Sequence, residues 1–359
     1  MKAINFGIDL GTTNSLITKY ENGKVTIFKN PIGHKETLAS VVAFRPDRTL
    51  VGDKAREFIS KDVINIFSNF KRRMGTDDRF YVVNIDENVT PVELSTYVLK
   101  ELKQFVHTGE QVEAAVITIP ASFDTMQSNA TKKAGLAAGF KDVLLLQEPI
   151  AASLAYFNNN EPGDEKDGYW LVYDLGGGTF DIALMQIKDG EMKVIDHEGN
   201  NFLGGSDFDL SILETIVVPY ATEHLGIIDF EEEITAKNGK YEKLFYELSY
   251  KAEEAKKELS YSNDTYIDFT IDAKDISLKI TKEAFEKGIS GRVAETLNML
   301  STILNRNDIH AQDIEEILLV GGSTFIPYVK QQLAAETNIK INSSIDPTTA
   351  VAIGAAYYA

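Results

Sequence analysis

The stretches GIDLGTTNS at residues 7–15 and YDLGGGTFD at residues 173–181 decide how this chain is read. In each, an Asp (Asp9, Asp174) leaves a run of strand-forming residues, a Gly/Thr turn follows, and the chain returns as a second strand. Glycine lets a phosphate approach bare backbone N–H groups, and successive amides of this kind form an anion-binding concavity. Thr12, Thr13 and Thr179 add hydroxyl donors. The two acids suit a hydrated magnesium ion, which takes hard oxygen ligands and keeps most of its waters. Two such hairpins can grip one polyphosphate from both sides.

Either turn alone would pass for an ordinary Gly-rich loop, and the longer repeat around them is what raises the signal. After the first, residues 16–20 and 24–28 read as strands about Asn22-Gly23; after the second, 181–187 and 191–195 flank Asp189-Gly190. Both dipeptides favour the tight turn whose twist matches paired strands. This internal duplication predicts two similar α/β lobes facing each other with nucleotide between them.

A chain of 359 residues with 43% hydrophobic content can bury a large core and divide into two or more domains. A net charge of -18 and a pI near 4.8 argue against nucleic acid or an anionic membrane as the main partner. Without cysteine there are no disulfides and no thiolate chemistry, and the five histidines lack metal-ligand spacing. Residues 1–10 carry an acid where a secretory signal needs an apolar run, so a cytoplasmic location is expected. The loose stretch 158–168 is expected to join the lobes.

Between the hairpins, strands and helices alternate. Thr90-Pro91-Val92-Glu93 is a capping box, followed by an apolar stripe of Leu94, Tyr97, Val98, Leu102 and Phe105. A buried strand at 116–119 stops at Pro120, a helix is expected over 128–139, and a strand at 143–146 leads to Glu148. Glu is a poor N-cap, so a carboxylate before Pro149 favours a role facing the cleft. Further on, helices are predicted at 206–224, 241–259 and 281–304, a small hairpin at 265–280, and a last helix capped by Asp346-Pro347.

In this order the chain also carries VITIPASF, QEPIAASLAY, FLGGSDFD, AEEAKKELS, LLVGGSTFIP and DPTTAVAIGAA. Together with the two hairpins, these resemble the successive signatures of the nucleotide-binding domain of the heat-shock 70 kDa chaperones of the DnaK type. The resemblance implies an α/β, actin-like ATPase (ribonuclease H-like) fold, duplicated into two lobes of two subdomains around a nucleotide cleft. Residues 1–163 would form lobe I (core 1–39 and 94–163, small upper subdomain 40–93). Residues 164–342 would form lobe II (core 164–203 and 288–342, helical upper subdomain 204–287). A C-terminal helix at 343–359 would return to lobe I.

Carried over by position, the resemblance makes Asp9 and Asp174 the holders of the magnesium water shell, with potassium nearby. Gly11, Thr12, Thr13 and Asn14 would contact phosphates from the first hairpin, and Gly176, Gly177, Gly178 and Thr179 from the second. Lys71 would reach the γ-phosphate and attacking water, Glu148 and Asp181 would orient that water or accept its proton, and Pro120 would be a switch. Glu253, Lys256, Lys257 and Ser260 would hold adenosine, with Gly204, Gly205, Gly322, Ser323 and Phe325 around base and ribose. In the Lys-Arg-Arg run 71–73, Arg73 reads as part of a solvated basic face.

Implied partners are ATP, a J-domain co-chaperone, a nucleotide exchange factor, and peptide clients through a domain beyond this chain. The implied activity is slow ATP hydrolysis without a phosphoenzyme. Three departures from the family pattern stand out: the chain stops at Ala359, before an interdomain linker or β-sandwich; the segment 75–90 is short; and Ser128 and Phe325 replace arginines. An isolated domain and a naturally short protein both fit the first. Alternative readings are an actin-like filament ATPase, a sugar kinase of the same superfamily, and a chaperone regulator that barely hydrolyses ATP.

Overall fold

Two mixed sheets grow from the two repeated hairpins. The computed structural model describes residues 4–159, 167–236 and 239–359. Most of the expected joining segment, the 163/164 boundary and residues 1–3 therefore lie outside the described residues. In the first sheet, Phe6–Leu10, Asn14–Glu21 and Lys24–Ile27 run antiparallel, and Ala114–Ile119 and Asp142–Gln147 add in parallel beside Phe6–Leu10. In the second, Gly168–Leu175, Phe180–Lys188 and Glu191–Asn200 run antiparallel, with Ile314–Val320 and Ile341–Asn342 added in parallel. The duplication expected from the hairpins is thus present in strand order and direction. Both dipeptide turns adopt the left-handed conformation, with φ of 54° and 77° at Asn22 and Gly23 and 53° and 78° at Asp189 and Gly190.

The register places the two acids at equivalent points. Asp9 pairs with Leu16 one step before the first turn, and Asp174 pairs with Asp181 one step before the second. Each sheet has its own apolar core, one around Ile8, Ile17, Val98 and Leu102 and the other around Tyr173, Phe180, Phe208 and Leu319. A third cluster joins the sheets. Val116 and Leu146 from one, and Val172, Ala183, Leu318 and Val320 from the other, pack with two Ala-rich helices, Glu148–Asn158 and Ala350–Tyr358. Those helices approach closely because Gly354 has no side chain: a Cβ there would sit 1.6 Å from the Ala151 carbonyl oxygen.

Local boundaries follow capping and proline chemistry. The Thr90 capping box opens Pro91–Phe105, whose stripe is buried apart from the half-buried Tyr97. Asp124 and Gln127 form another, so the next helix is Thr125–Ala137 and begins earlier than expected. The helix expected over 206–224 is broken into Gly205–Ile212, a π-helical turn Leu213–Val217, and Val218–Leu225. Pro219 lacks an N–H and its ring crowds the carbonyl four residues back, which favours the wider turn just before it. Asp346 does not cap the last helix. Its Oδ1 accepts from the Thr348 N–H at 2.8 Å and Oγ1 at 2.6 Å, closing a turn before the helix begins at Ala350. Among the described residues no helix is long and apolar enough to cross a membrane.

Candidate active site

The two Gly/Thr turns meet. A Cβ on Gly177 would lie 2.0 Å from Thr13 Oγ1, and one on Gly178 would lie 2.5 Å from Thr12 Cγ2, so only glycine fits at either place. The second turn is held from behind through its carbonyls. Gly176 O accepts from the Gly205 N–H at 3.0 Å and Ser323 Oγ at 2.8 Å, and Gly177 O from the Ser206 N–H at 2.7 Å and Ser206 Oγ at 2.6 Å. Gly205 and Ser206 open the helix Gly205–Ile212, whose positive N-terminal dipole lies beside the turn.

Below the turns, Lys71 Nζ donates to Glu148 Oε1 at 2.8 Å, and the two side chains are only 6% and 9% exposed. Lys71 comes from the short turn Phe70–Arg73. Glu148 is the first residue of its helix after the N-cap Gln147, which corrects its placement at the cap. A first-turn carboxylate is ordinarily favoured by the helix dipole, so its burial against Lys71, rather than its sequence position, marks it out.

Asp9, Asp174 and Asp181 surround this pair with unbalanced negative charge. Burial, then repulsion from Glu148, pushes Asp9 and Asp181 up to about 7. Asp174 lies well above the usual carboxylate range through burial and the charges of Glu148, Asp181 and Asp9. Burial disfavours the Lys71 ammonium, but Glu148, Asp9 and Asp174 outweigh it and raise its pKa. One ammonium among four carboxyl groups leaves room for a further cation. Among the described residues no three His, Cys, Asp or Glu side chains are arranged to ligate a metal directly.

Asp9, Lys71, Glu148 and Asp174 open onto a cavity of about 940 Å³. Its wall contains Asp9, Gly11, Thr12, Thr13, Asn14, Lys71, Glu148, Asp174, Gly176, Gly177 and Thr179, together with Glu253, Lys256, Lys257, Ser260, Gly322, Ser323 and Phe325. Gly178, Asp181, Gly204, Gly205 and Pro120 are not in the wall. Gly204 backs onto Gly178, Gly205 lies against Ser323 and Lys256, and Pro120 is buried at the end of its strand. Asp181 is buried with an unpartnered Oδ1. Ser128 lies in the helix Thr125–Ala137, away from the cavity.

The helix Glu242–Leu259 contributes a charged row to the wall. Lys256 Nζ reaches Asp209 Oδ1 at 2.8 Å and the Gly205 carbonyl at 2.8 Å. Lys257 Nζ is tied to Glu253 at 3.0 Å and Glu254 at 2.8 Å. Ser260 Oγ donates to the Lys256 carbonyl at 3.2 Å. Phe325, in the turn Gly322–Phe325, is 48% exposed on the cavity wall rather than turned into the core. Among the wall residues that the sequence does not single out are two arginines. Arg56 pairs with Glu253 from 197 positions away, and Arg72 donates to Asp207 Oδ2 at 2.7 Å from 135 positions away. Arg73, by contrast, is half-exposed and paired with Asp78 at 3.4 Å.

The sequence profile of the family described as Hsp70 protein matches residues 5–359. The chaperone protein DnaK of Mycoplasma mobile is 36% identical over 358 residues, which is 98% of this chain and 57% of that protein. The chaperone protein DnaK of Thermotoga neapolitana is 38% identical over 365 residues, again 98% of this chain and 58% of the relative. This chain thus spans less than three-fifths of the length of those relatives.

Proposed function

The chain belongs to the Hsp70 family and has its actin-like ATPase fold, and on that premise we propose that it is a DnaK-type nucleotide-binding domain that binds ATP between its two Gly/Thr turns and hydrolyses it slowly. The observation that carries this reading is the buried Lys71–Glu148 pair sharing one cavity wall with two facing turns of phosphate-binding chemistry. Residues 1–163 and 164–342 act as the two lobes, with the last helix returning to the first. Adenosine lies toward Lys256, Lys257, Ser260 and Phe325, and the phosphates lie toward Thr12, Thr13 and Thr179.

The donor set suits magnesium held through water. Asp9 and Asp174 supply hard oxygens, and their raised pKa values mark a site short of positive charge. When bound, the ion neutralises charge on the phosphates. Lys71 stabilises charge that develops on the transferred phosphoryl group. Glu148, oriented by its bond to Lys71, positions the attacking water for in-line displacement, and Asp181 behind it accepts the proton. No residue is phosphorylated. Potassium would sit in the same acidic neighbourhood.

The relatives are named chaperone protein DnaK, and in this reading the hydrolytic cycle of the chain likewise serves a chaperone, stimulated by a J-domain co-chaperone and reset by an exchange factor, with clients bound by a separate domain. The setting is cytoplasmic. Measuring phosphate release from ATP under single-turnover conditions tests the enzymatic claim. Magnesium-dependent release lost in Lys71→Ala is the expected result, and release equal in the two proteins would refute it.

A further inference from the structure

Arg72 has one buried polar atom left over. Its terminal nitrogen donates to Asp207 Oδ2 at 2.7 Å, and the same carboxylate oxygen accepts from the Gly204 N–H at 2.8 Å. Phe202 covers the guanidinium, its ring centroid 5.8 Å away, and that ring is 54% exposed on its outer side. Held in this way, Arg72 turns its Nε inward, where the atom is shielded from solvent and makes no hydrogen bond. It lies 2.9 Å from where a Gly178 Cβ would be, and Thr12 Cγ2 lies 2.5 Å from the same point. The unmatched donor therefore sits where the two turns meet. A guanidinium N–H withdrawn from water without an acceptor is strongly unfavourable, and its planar fork suits phosphate oxygens.

We propose that Arg72 is a specificity-determining residue whose Nε contacts the terminal phosphoryl group of a bound nucleoside triphosphate, with Asp207 and Phe202 holding it in place. The inference rests on the reading that nucleotide phosphates lie between the turns. It separates Arg72 from its neighbour Arg73, which is also near Phe202, 5.5 Å from the ring centroid, but is half-exposed and paired with Asp78. A diphosphate lacks the group that Nε awaits, so Arg72 distinguishes triphosphate from diphosphate.

The test is calorimetric titration of MgADP and of a non-hydrolysable magnesium triphosphate analogue into the wild type, Arg72→Lys, Arg72→Gln and Asp207→Asn, with thermal melts alongside. Arg72→Lys keeps a cation for Asp207 but has no Nε. Both Arg72 variants should weaken the triphosphate analogue by about tenfold or more while changing MgADP by less than about twofold. Asp207→Asn, which keeps the guanidinium, should retain more of the triphosphate preference than either. Equal weakening of both nucleotides, or an Arg72→Lys protein that binds like the wild type, would reduce Arg72 to a latch and overturn the proposal while leaving the nucleotide site in place. A wild type that binds neither nucleotide would overturn the nucleotide reading and this inference together.

Discussion

Replacing Lys71 by Met keeps most of the apolar stem and removes the ammonium that, among the described residues, faces Asp9, Glu148, Asp174 and Asp181. At the 2.8 Å separation from Glu148, the gross attraction at an effective dielectric near 20 is about 6 kcal/mol, part of which only offsets desolvation. Breaking such a buried pair from one side costs about 3 to 5 kcal/mol, because the partner charge is left unmatched. Asp9 and Asp181, raised to about 7, carry protons below that pH and share the strain above it. The destabilisation should therefore be larger at pH 8.5 than at pH 6. Denaturant unfolding of Lys71→Met, Glu148→Gln and the double variant reads this directly. The double variant should recover most of the stability lost in Lys71→Met and none of the turnover. A double variant as unstable as Lys71→Met, or a single variant with wild-type turnover, would refute the reasoning.

Asp9→Asn and Asp174→Asn should each weaken magnesium-dependent nucleotide binding and slow single-turnover hydrolysis by roughly 10² to 10³, equivalent to about 2 to 4 kcal/mol; unchanged rates in both would contradict their assignment. Phe325→Ala should weaken MgATP and MgADP alike by about tenfold, from ring stacking worth about 1 to 3 kcal/mol per base, with the rate at saturation kept. A lowered melting temperature with unchanged affinity would instead make Phe325 a packing residue. Asp209 is raised from 3.8 to about 6 by burial, against the pull of Lys256. Folding takes up a proton there between those values, so this contribution is present below the lower one and lost as pH rises through the upper. Asp209→Asn should remove up to about 1.4 kcal/mol per pH unit of stability slope in that window, and identical slopes in unfolding titrations would contradict it.

The hairpins are legible because every determinant is local: an acid at a strand end, glycines where the turns abut, and Asn-Gly or Asp-Gly where strands reverse. The helix start at Thr90 is legible for the same reason. Residues such as Arg56 and Arg72 leave no comparable trace. Their partners Glu253 and Asp207 are 197 and 135 positions away, and each charge alone matches any solvated helix face. Glu148 shows the intermediate case: the resemblance singles it out, the capping argument offered beside it fails because Gln147 holds the cap, and its burial against Lys71 is visible only in the fold. The π-helical turn before Pro219 and the Asp346 turn are resolved only by the packed backbone. The Gly/Thr turns and the charged row around Lys256 converge on one cavity because the fold brings two halves of a duplication face to face, which spacing alone implies but cannot position.

The most direct measurement is calorimetric titration of the chain with ADP in the presence of magnesium and again with the magnesium chelated. Binding at a single site, tight with the ion and weakened by at least about tenfold without it, follows if Asp9 and Asp174 hold a hydrated cation beneath the paired turns. No binding of MgADP, or the same affinity with and without magnesium, would contradict the claim that these turns form a nucleotide site.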